Sequence, residues 1–136
     1  MSGPAGDSWR AMRELVLGHD RREAVADALG LSFARVRALL KLAVRPATLR
    51  ELAALLGTDA PYATVIVDDL EARGYVVRTV DARDRRAKLV SLTDAGRAAA
   101  AEAQRLLDEP PAALRALPAD DLAALSRILA AARDQR

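Results

Sequence analysis

Arg83, Arg85, Arg86 and Lys88 fall in one short loop, DARDRRAK, flanked by the β-branched runs YVVRTV and LVSL. From Arg78 to Lys88 five bases stand against two acids, Asp81 and Asp84, a net of +3. A guanidinium is a planar fork of donors suited to carboxylate and phosphate oxygens. Two extended runs joined by a charged hexapeptide read as a hairpin. Such a hairpin has little room for a core, so its tip is solvated, paired internally or inserted into something anionic.

Other chemistries find no footing. The chain has no cysteine, which removes disulfides, thiolate zinc sites and thiol sensing, and fits a reducing cytoplasm. One histidine, His19, does not build a catalytic metal site, and it reads as an ordinary surface or interface residue. No Gly-rich phosphate cradle and no nucleophile with a matched base is present, so no enzyme, cofactor or metal is expected. No run approaches the roughly 18 apolar residues of a membrane span. The start, MSGPAGDSW, lacks the parts of a signal peptide and reads as a short disordered leader.

The elements that must position the basic loop follow from composition and caps. The 136 residues are 51% hydrophobic but only 3% aromatic, a helix-rich balance dominated by Ala and Leu. A first helix is expected from Ser8 as N-cap to about Leu29, with a kink or break at Gly18 and HDRRE, and with Gly30 closing it. Ser32 caps a second helix with Phe33, Val36, Leu39, Leu40 and Ala43 on one face. RPAT breaks it. Thr48 to Glu51 form a capping box for a third helix, closed by Gly57. Asp59 caps a fourth, with Pro61 in its first turn, ending at Gly74. Strands Tyr75 to Val80 and Ala87 to Leu92 follow, then an Ala-rich fifth helix capped by Thr93 and stopped by Pro110 and Pro111. A last amphipathic helix begins near Pro118.

Helix, short glycine turn, helix, then hairpin is the order of a winged helix-turn-helix. On the fourth helix Ala63, Ile66, Val67 and Leu70 share a core-facing side. Pro61, Thr64, Val65 and Asp68 take the opposite face, with Tyr62 and Asp69 at its margins. A recognition helix offers its first residues to the major groove, here Pro61, Tyr62, Thr64 and Val65. Its N-terminus adds phosphate-facing N–H groups. From Thr58 to Gly74 the charge is nevertheless −3, four acids against Arg73. Attraction to phosphate must then come from the hairpin and from arginines such as Arg35, Arg37 and Arg50. Asp81 and Asp84 could brace the loop arginines, and Asp68 could do so from the helix. Asp68 and Asp69 read as local ion-pair partners. A mixed-charge turn is commonly just a solvated loop, but directly after a helix-turn-helix its arginines suit a minor groove.

From about Leu29 to Gln104 the chain resembles the MarR family, the multiple antibiotic resistance regulators. The resemblance lies in LRELAALLG, VDDLEARGYVVR and DARDRRAKLVSLTDAGRA, above all in D-x-R-D-x-R followed by a strand and L-T-x-x-G. It implies a mainly α fold with a small β-hairpin wing, a winged helix-turn-helix flanked by N- and C-terminal dimerisation helices. Residues 1–136 then form a single domain: a dimerisation helix at 8–30, the winged helix-turn-helix at 31–92 and dimerisation helices at 93–136. It further implies an obligate homodimer on pseudo-palindromic double-stranded DNA. The helix at about 59–73 would lie in the major groove and the wing at 79–88 in the minor groove. Repression would be relieved by a small, often aromatic or phenolic, ligand held between the dimer helices and the DNA-binding lobe. Thr64, Asp84 and Arg86 match positions used by the family, with Arg83 and Arg85 beside them, and Lys88 extends the basic wing.

The apolar stripes of the outer helices exceed what a small lobe can cover, and a twofold dimer is the simplest way to bury them. Trp9, Met12, Val16, Leu107, Leu122, Leu125 and Leu129 are the expected interface. The chain departs from the family where Val65 and Asp69 replace common basic residues and Pro61 and Tyr62 replace polar ones. Fewer charged base contacts are implied, with more weight on the wing, apolar contacts and DNA shape. The alternative reading is a winged-helix protein-interaction module with weak or no DNA binding, suggested by the acidic fourth helix.

Overall fold

A computed structural model describes residues 3–135. The elements are α1 (Pro4–Leu17), α2 (Arg22–Leu29), α3 (Phe33–Val44), β1 (Ala47–Thr48), α4 (Leu49–Leu56), α5 (Ala60–Ala72), β2 (Val76–Val80), β3 (Lys88–Leu92), α6 (Asp94–Leu107), α7 (Ala112–Arg115) and α8 (Ala119–Arg133). They gather into two compact units. One is Arg21–Asp108; the other joins the two ends of the chain, up to Asp20 and from Glu109.

In the Arg21–Asp108 unit the helix starts are fixed by side-chain caps. Ser32 accepts from the Arg35 N–H, Thr48 from Glu51, Asp59 from Tyr62 and Thr93 from Gly96. The Thr48 box is complete: Glu51 N donates to Thr48 Oγ1 and Thr48 N to Glu51 Oε1, both at 3.2 Å. Gly57, at φ 66°, adopts the left-handed turn that ends α4 and lets α5 begin three residues later. Apolar spacing then decides the packing. Leu39, Leu52, Ile66, Leu70, Val25, Val36 and Val67 are fully buried together with Val76 and Val90. Each such side chain contributes about 1.5–3 kcal/mol of transfer free energy.

The sheet runs β1-β3-β2, antiparallel throughout, with Ala47 opposite Val90, Val76 opposite Leu92 and Val80 opposite Lys88. Alternation along β3 sends Val90 and Leu92 into the core. The two-residue strand β1 lies in the RPAT stretch that the sequence reads only as a break. Its pairing partner is more than 40 residues away, beyond any local pattern.

The break expected at Gly18 and HDRRE separates two helices, from Gly18 to Arg21. The start is corrected: the first helix begins at Pro4 with Gly3 as N-cap rather than at Ser8. Proline at the first helical position needs no N–H partner, so Pro4 starts the helix without a side-chain cap. The leader reading fails with it from Pro4 onward, and residues 1 and 2 lie outside the described residues. Further along, Pro111 and Pro118 bracket the short helix α7, where a plain connection was expected.

In the unit formed by the chain ends, α1, α7 and α8 contain no buried residue among those described. Trp9 is 62% exposed and Val16 71%. An apolar cleft of about 440 Å³ opens between Trp9, Met12 and Val16 of α1 and Leu114, Leu125 and Leu129 of the C-terminal segment. His19 Nε2 meets the Glu109 carbonyl at 2.8 Å, pinning the end of the α1 segment to the start of the C-terminal one. No described helix is long and apolar enough to cross a membrane.

Candidate nucleic-acid interface

The helix α5 buries Ala63, Ile66, Val67 and Leu70 and presents Pro61, Tyr62 and Val65 outward, as its periodicity requires. Thr64 is half-buried, and its hydroxyl donates to the Ala60 carbonyl one turn back, at 3.0 Å. The carboxylates of α5 are engaged within the molecule. Asp69 Oδ2 accepts from Arg35 Nε of α3 at 2.7 Å and from Arg73 Nε at 2.9 Å. Hydrogen bonds from Arg73, then Arg35, hold the Asp69 carboxyl below the usual aspartate range. Asp68 pairs with Arg78 of β2, and Glu71 lies 3.7 Å from the same guanidinium. The negative charge of Asp68, Asp69 and Glu71 is therefore met in place by Arg35 of α3, Arg73 at the end of α5 and Arg78 of β2.

Of the expected sources of phosphate attraction, Arg35 is neutralised in the same way, while Arg37 is tethered with its charge intact. Arg35 is held by Asp69 and by the Ser32 hydroxyl, and Arg37 donates to the Leu56 carbonyl. At the α5 N-terminus Pro61 has no N–H, and that of Tyr62 is taken by Asp59 Oδ1 at 2.7 Å. The expected phosphate-facing N–H cluster is thus largely occupied by the cap.

The wing divides into a braced root and an open tip. Asp81, only 4% exposed, accepts from the Arg83 backbone N–H at 3.0 Å and from the Arg83 side chain. The backbone hydrogen bond chiefly, and the guanidinium after it, depress the Asp81 carboxyl, while hydrogen bonding to Asp81 raises Arg83. Arg83 also reaches Glu51 Oε1 of α4 at 3.2 Å. Thr48 backbone and hydroxyl hydrogen bonds, with Arg83 behind them, hold Glu51 below the usual glutamate range. Asp84 accepts from the Arg86 N–H at 3.0 Å, an Asx-type turn that shapes the tip. Among the described residues the exposed side chains of Arg85, Arg86 and Lys88 have no ion-pair partner within 4 Å. A cleft of about 480 Å³ separates the wing from the start of α4, lined by Arg50, Arg86 and Lys88 together with Thr48, Asp81 and Asp84.

Behind the wing, Thr93 joins three elements. Its hydroxyl donates to the Gly74 carbonyl at 2.6 Å and accepts from Gly96 N at 3.1 Å, while its own N–H donates to the Tyr75 carbonyl at 3.0 Å. Gly96 is buried so close to that carbonyl that a Cβ would collide with it. The threonine and glycine of L-T-x-x-G are thus a cap and a close backbone approach, three residues apart.

A sequence model described as MarR family matches residues 29–87. A "probable transcriptional regulator" from Pseudomonas aeruginosa is 32% identical, with 81% of this chain and 86% of that one covered and a TM-score of 0.56. The chain belongs to the MarR family. Members of the MarR family are transcription regulators and not enzymes. CouR, a transcriptional repressor bound to a 23-mer DNA duplex, is 29% identical over 96% of this chain and 92% of that one, TM-score 0.62. CouR from Rhodococcus jostii RHA1 bound to p-coumaroyl-CoA is 30% identical, covers 62% of this chain and 59% of that one, and has a TM-score of 0.55. Wild-type MarR from E. coli in its apo form, at 24% identity, shares the fold at TM-score 0.70, with 97% of this chain and 98% of that one covered. No curated protein matches the chain in sequence.

Seen as a MarR family wing, the predicted set separates into groups. Arg85, Arg86 and Lys88 are exposed and unpaired, whereas Arg83 is a brace and Asp84 a turn-former. The brace partners Asp81 and Glu51 carry more of the geometry than the sequence reading gave them. An Asp two residues before Arg83, where an Asx bond closes, is the local signal. Of the expected interface residues, Trp9, Met12, Val16, Leu122, Leu125 and Leu129 lie in the terminal-segment unit, whereas Leu107 packs against the core of the Arg21–Asp108 unit.

Proposed function

We propose that this MarR family member is a cytoplasmic, homodimeric, sequence-specific regulator of transcription that represses by binding pseudo-palindromic duplex DNA. The reading puts α5 in the major groove and the wing, residues 79–88, in the adjacent minor groove. One observation carries it: the acids of α5 are paired internally while Arg85, Arg86 and Lys88 on the wing are not. The alternative interaction module drew its support from an acidic α5. That helix offers no free carboxylate cluster to a basic partner.

The homodimer is supported by a unit whose helices bury nothing by themselves, with Trp9 and Val16 exposed beside an apolar cleft. Large exposed apolar patches of this kind mark association surfaces. Residues 8–30 and 93–136 are proposed to supply that dimer, and 31–92 the DNA-binding part of a single domain. Release by a small aromatic or phenolic ligand is proposed from the family and from CouR, which binds p-coumaroyl-CoA.

The deciding experiment is fluorescence anisotropy with the purified protein on the duplex upstream of its own gene, against a scrambled duplex, at low and near-physiological salt. A sequence-specific regulator binds the cognate duplex more tightly than the scrambled one, and counterion release makes that binding weaken as salt rises. Equal, feeble binding to both by folded protein would instead favour the interaction module.

A further inference from the structure

The outward strip of α5 is poor in free polar groups for a base-reading surface. Tyr62 is 44% exposed and Val65 52%, with Pro61 beside them. Around them every other polar side chain is engaged: Asp59 by the Tyr62 N–H, Thr64 by the Ala60 carbonyl, Asp68 by Arg78, and Asp69 by Arg35 and Arg73. The Tyr62 hydroxyl is the one donor left on the strip among the described residues.

Resting on the reading that α5 enters the major groove, we infer that this helix discriminates bases chiefly through the C5-methyl group of thymine, received by Val65 with Pro61 beside it. The major-groove edges of guanine, adenine and cytosine present donors and acceptors, which Arg or Lys, Asn or Gln, and Asp or Glu read in pairs. No such side chain on the strip is free. Thymine alone presents an apolar group there, and an exposed valine gains by covering it. The occupant is a duplex rather than an apolar protein surface because the same unit carries the unpaired cations Arg85, Arg86 and Lys88 on its wing. Those cations supply attraction without sequence information, so α5 is left to supply discrimination.

Removing one methyl from such a contact weakens binding by about fourfold, the equivalent of one buried methylene. The test begins with a duplex selected on the parent protein from a randomised library. That duplex is resynthesised with deoxyuridine in place of thymine, which deletes the methyl and keeps base pairing. Both versions are titrated by anisotropy against the parent and Val65→Ala. The expected result is about a fourfold loss per contacted thymine for the parent, and near-equal affinities of Val65→Ala for the two duplexes. Equal affinities for the parent would overturn the inference while leaving DNA binding intact. The same thymine preference in Val65→Ala would overturn the assignment to Val65. Selection of no duplex, with none bound at low salt, would overturn both this inference and the reading beneath it.

Discussion

Arg83 of the wing stands 3.2 Å from Glu51, the residue that closes the capping box of α4, and so ties the wing root to the helix-turn-helix. The two ends of this tie are unequal. Glu51→Gln keeps a capping-box side chain at the third helical position and removes only the charge. Asp81→Ala removes the acceptor of the Arg83 backbone N–H as well as its ion-pair partner. Thermal melts followed by circular dichroism should show little change for Glu51→Gln and a clear drop for Asp81→Ala. Equal drops would mean that Glu51 holds the wing as firmly as Asp81 does.

Arg86→Ala should weaken duplex binding and leave the melting temperature where it was, because its side chain makes no ion pair among the described residues. The plot of log affinity against log salt should flatten by about one unit if the guanidinium neutralises one phosphate. An unchanged slope would remove Arg86 from the phosphate contacts.

Acid stability follows from the depressed carboxyls of Glu51, Asp69 and Asp81, and of Glu102 on α6, which accepts hydrogen bonds from the Arg105 guanidinium. In the unfolded chain these groups protonate near their ordinary values, 4.5 for glutamate and 3.8 for aspartate. In the folded protein they hold their charge to lower pH. Their contribution is thus complete above the ordinary values and is lost as pH falls through the depressed ones. The urea midpoint should fall on acidification below about pH 4.5, and Asp69→Asn together with Asp81→Asn should flatten that fall. A midpoint that rises as pH drops from 5 to 3 would reverse the sign of the linkage.

Gly96→Ala should destabilise the protein by about 1–3 kcal/mol, the usual cost of overpacking a closed site. Alanine suits helices, but here its Cβ meets the Tyr75 carbonyl. Urea unfolding reads the difference, and a stabilised variant would show that the carbonyl has room to move.

Leu125→Asp places a charge in the apolar cleft of the terminal-segment unit. Sedimentation equilibrium should give twice the 14.5 kDa chain mass for the parent and the single mass for the variant. A monomeric parent at micromolar concentration would remove the dimer from the proposed function.

What the sequence disclosed was mostly local. Ser32, Thr48, Asp59 and Thr93 announce helix starts because a cap is a bond between residues three apart, and the buried face of α5 follows from its period. Ser8 misled because a serine before a helical run looks like a cap even when Pro4 has already begun the helix. Partnerships across the chain were less visible. Arg35 and Arg37 look like free cations in the sequence, and only folding brings Asp69 and the Leu56 carbonyl to them. The wing split similarly: its net charge was legible, but not which arginines the root would hold.

Thr93 leaves no slack between the helix proposed to read DNA and the helix that follows the wing. One side chain and its own N–H clasp the carbonyls of Gly74 and Tyr75 while receiving Gly96 N, with no room for even a methyl group between. The joint has the build of a weld rather than a hinge: a swing of α6 would have to break these hydrogen bonds or drag the turn between α5 and the first strand of the wing with it.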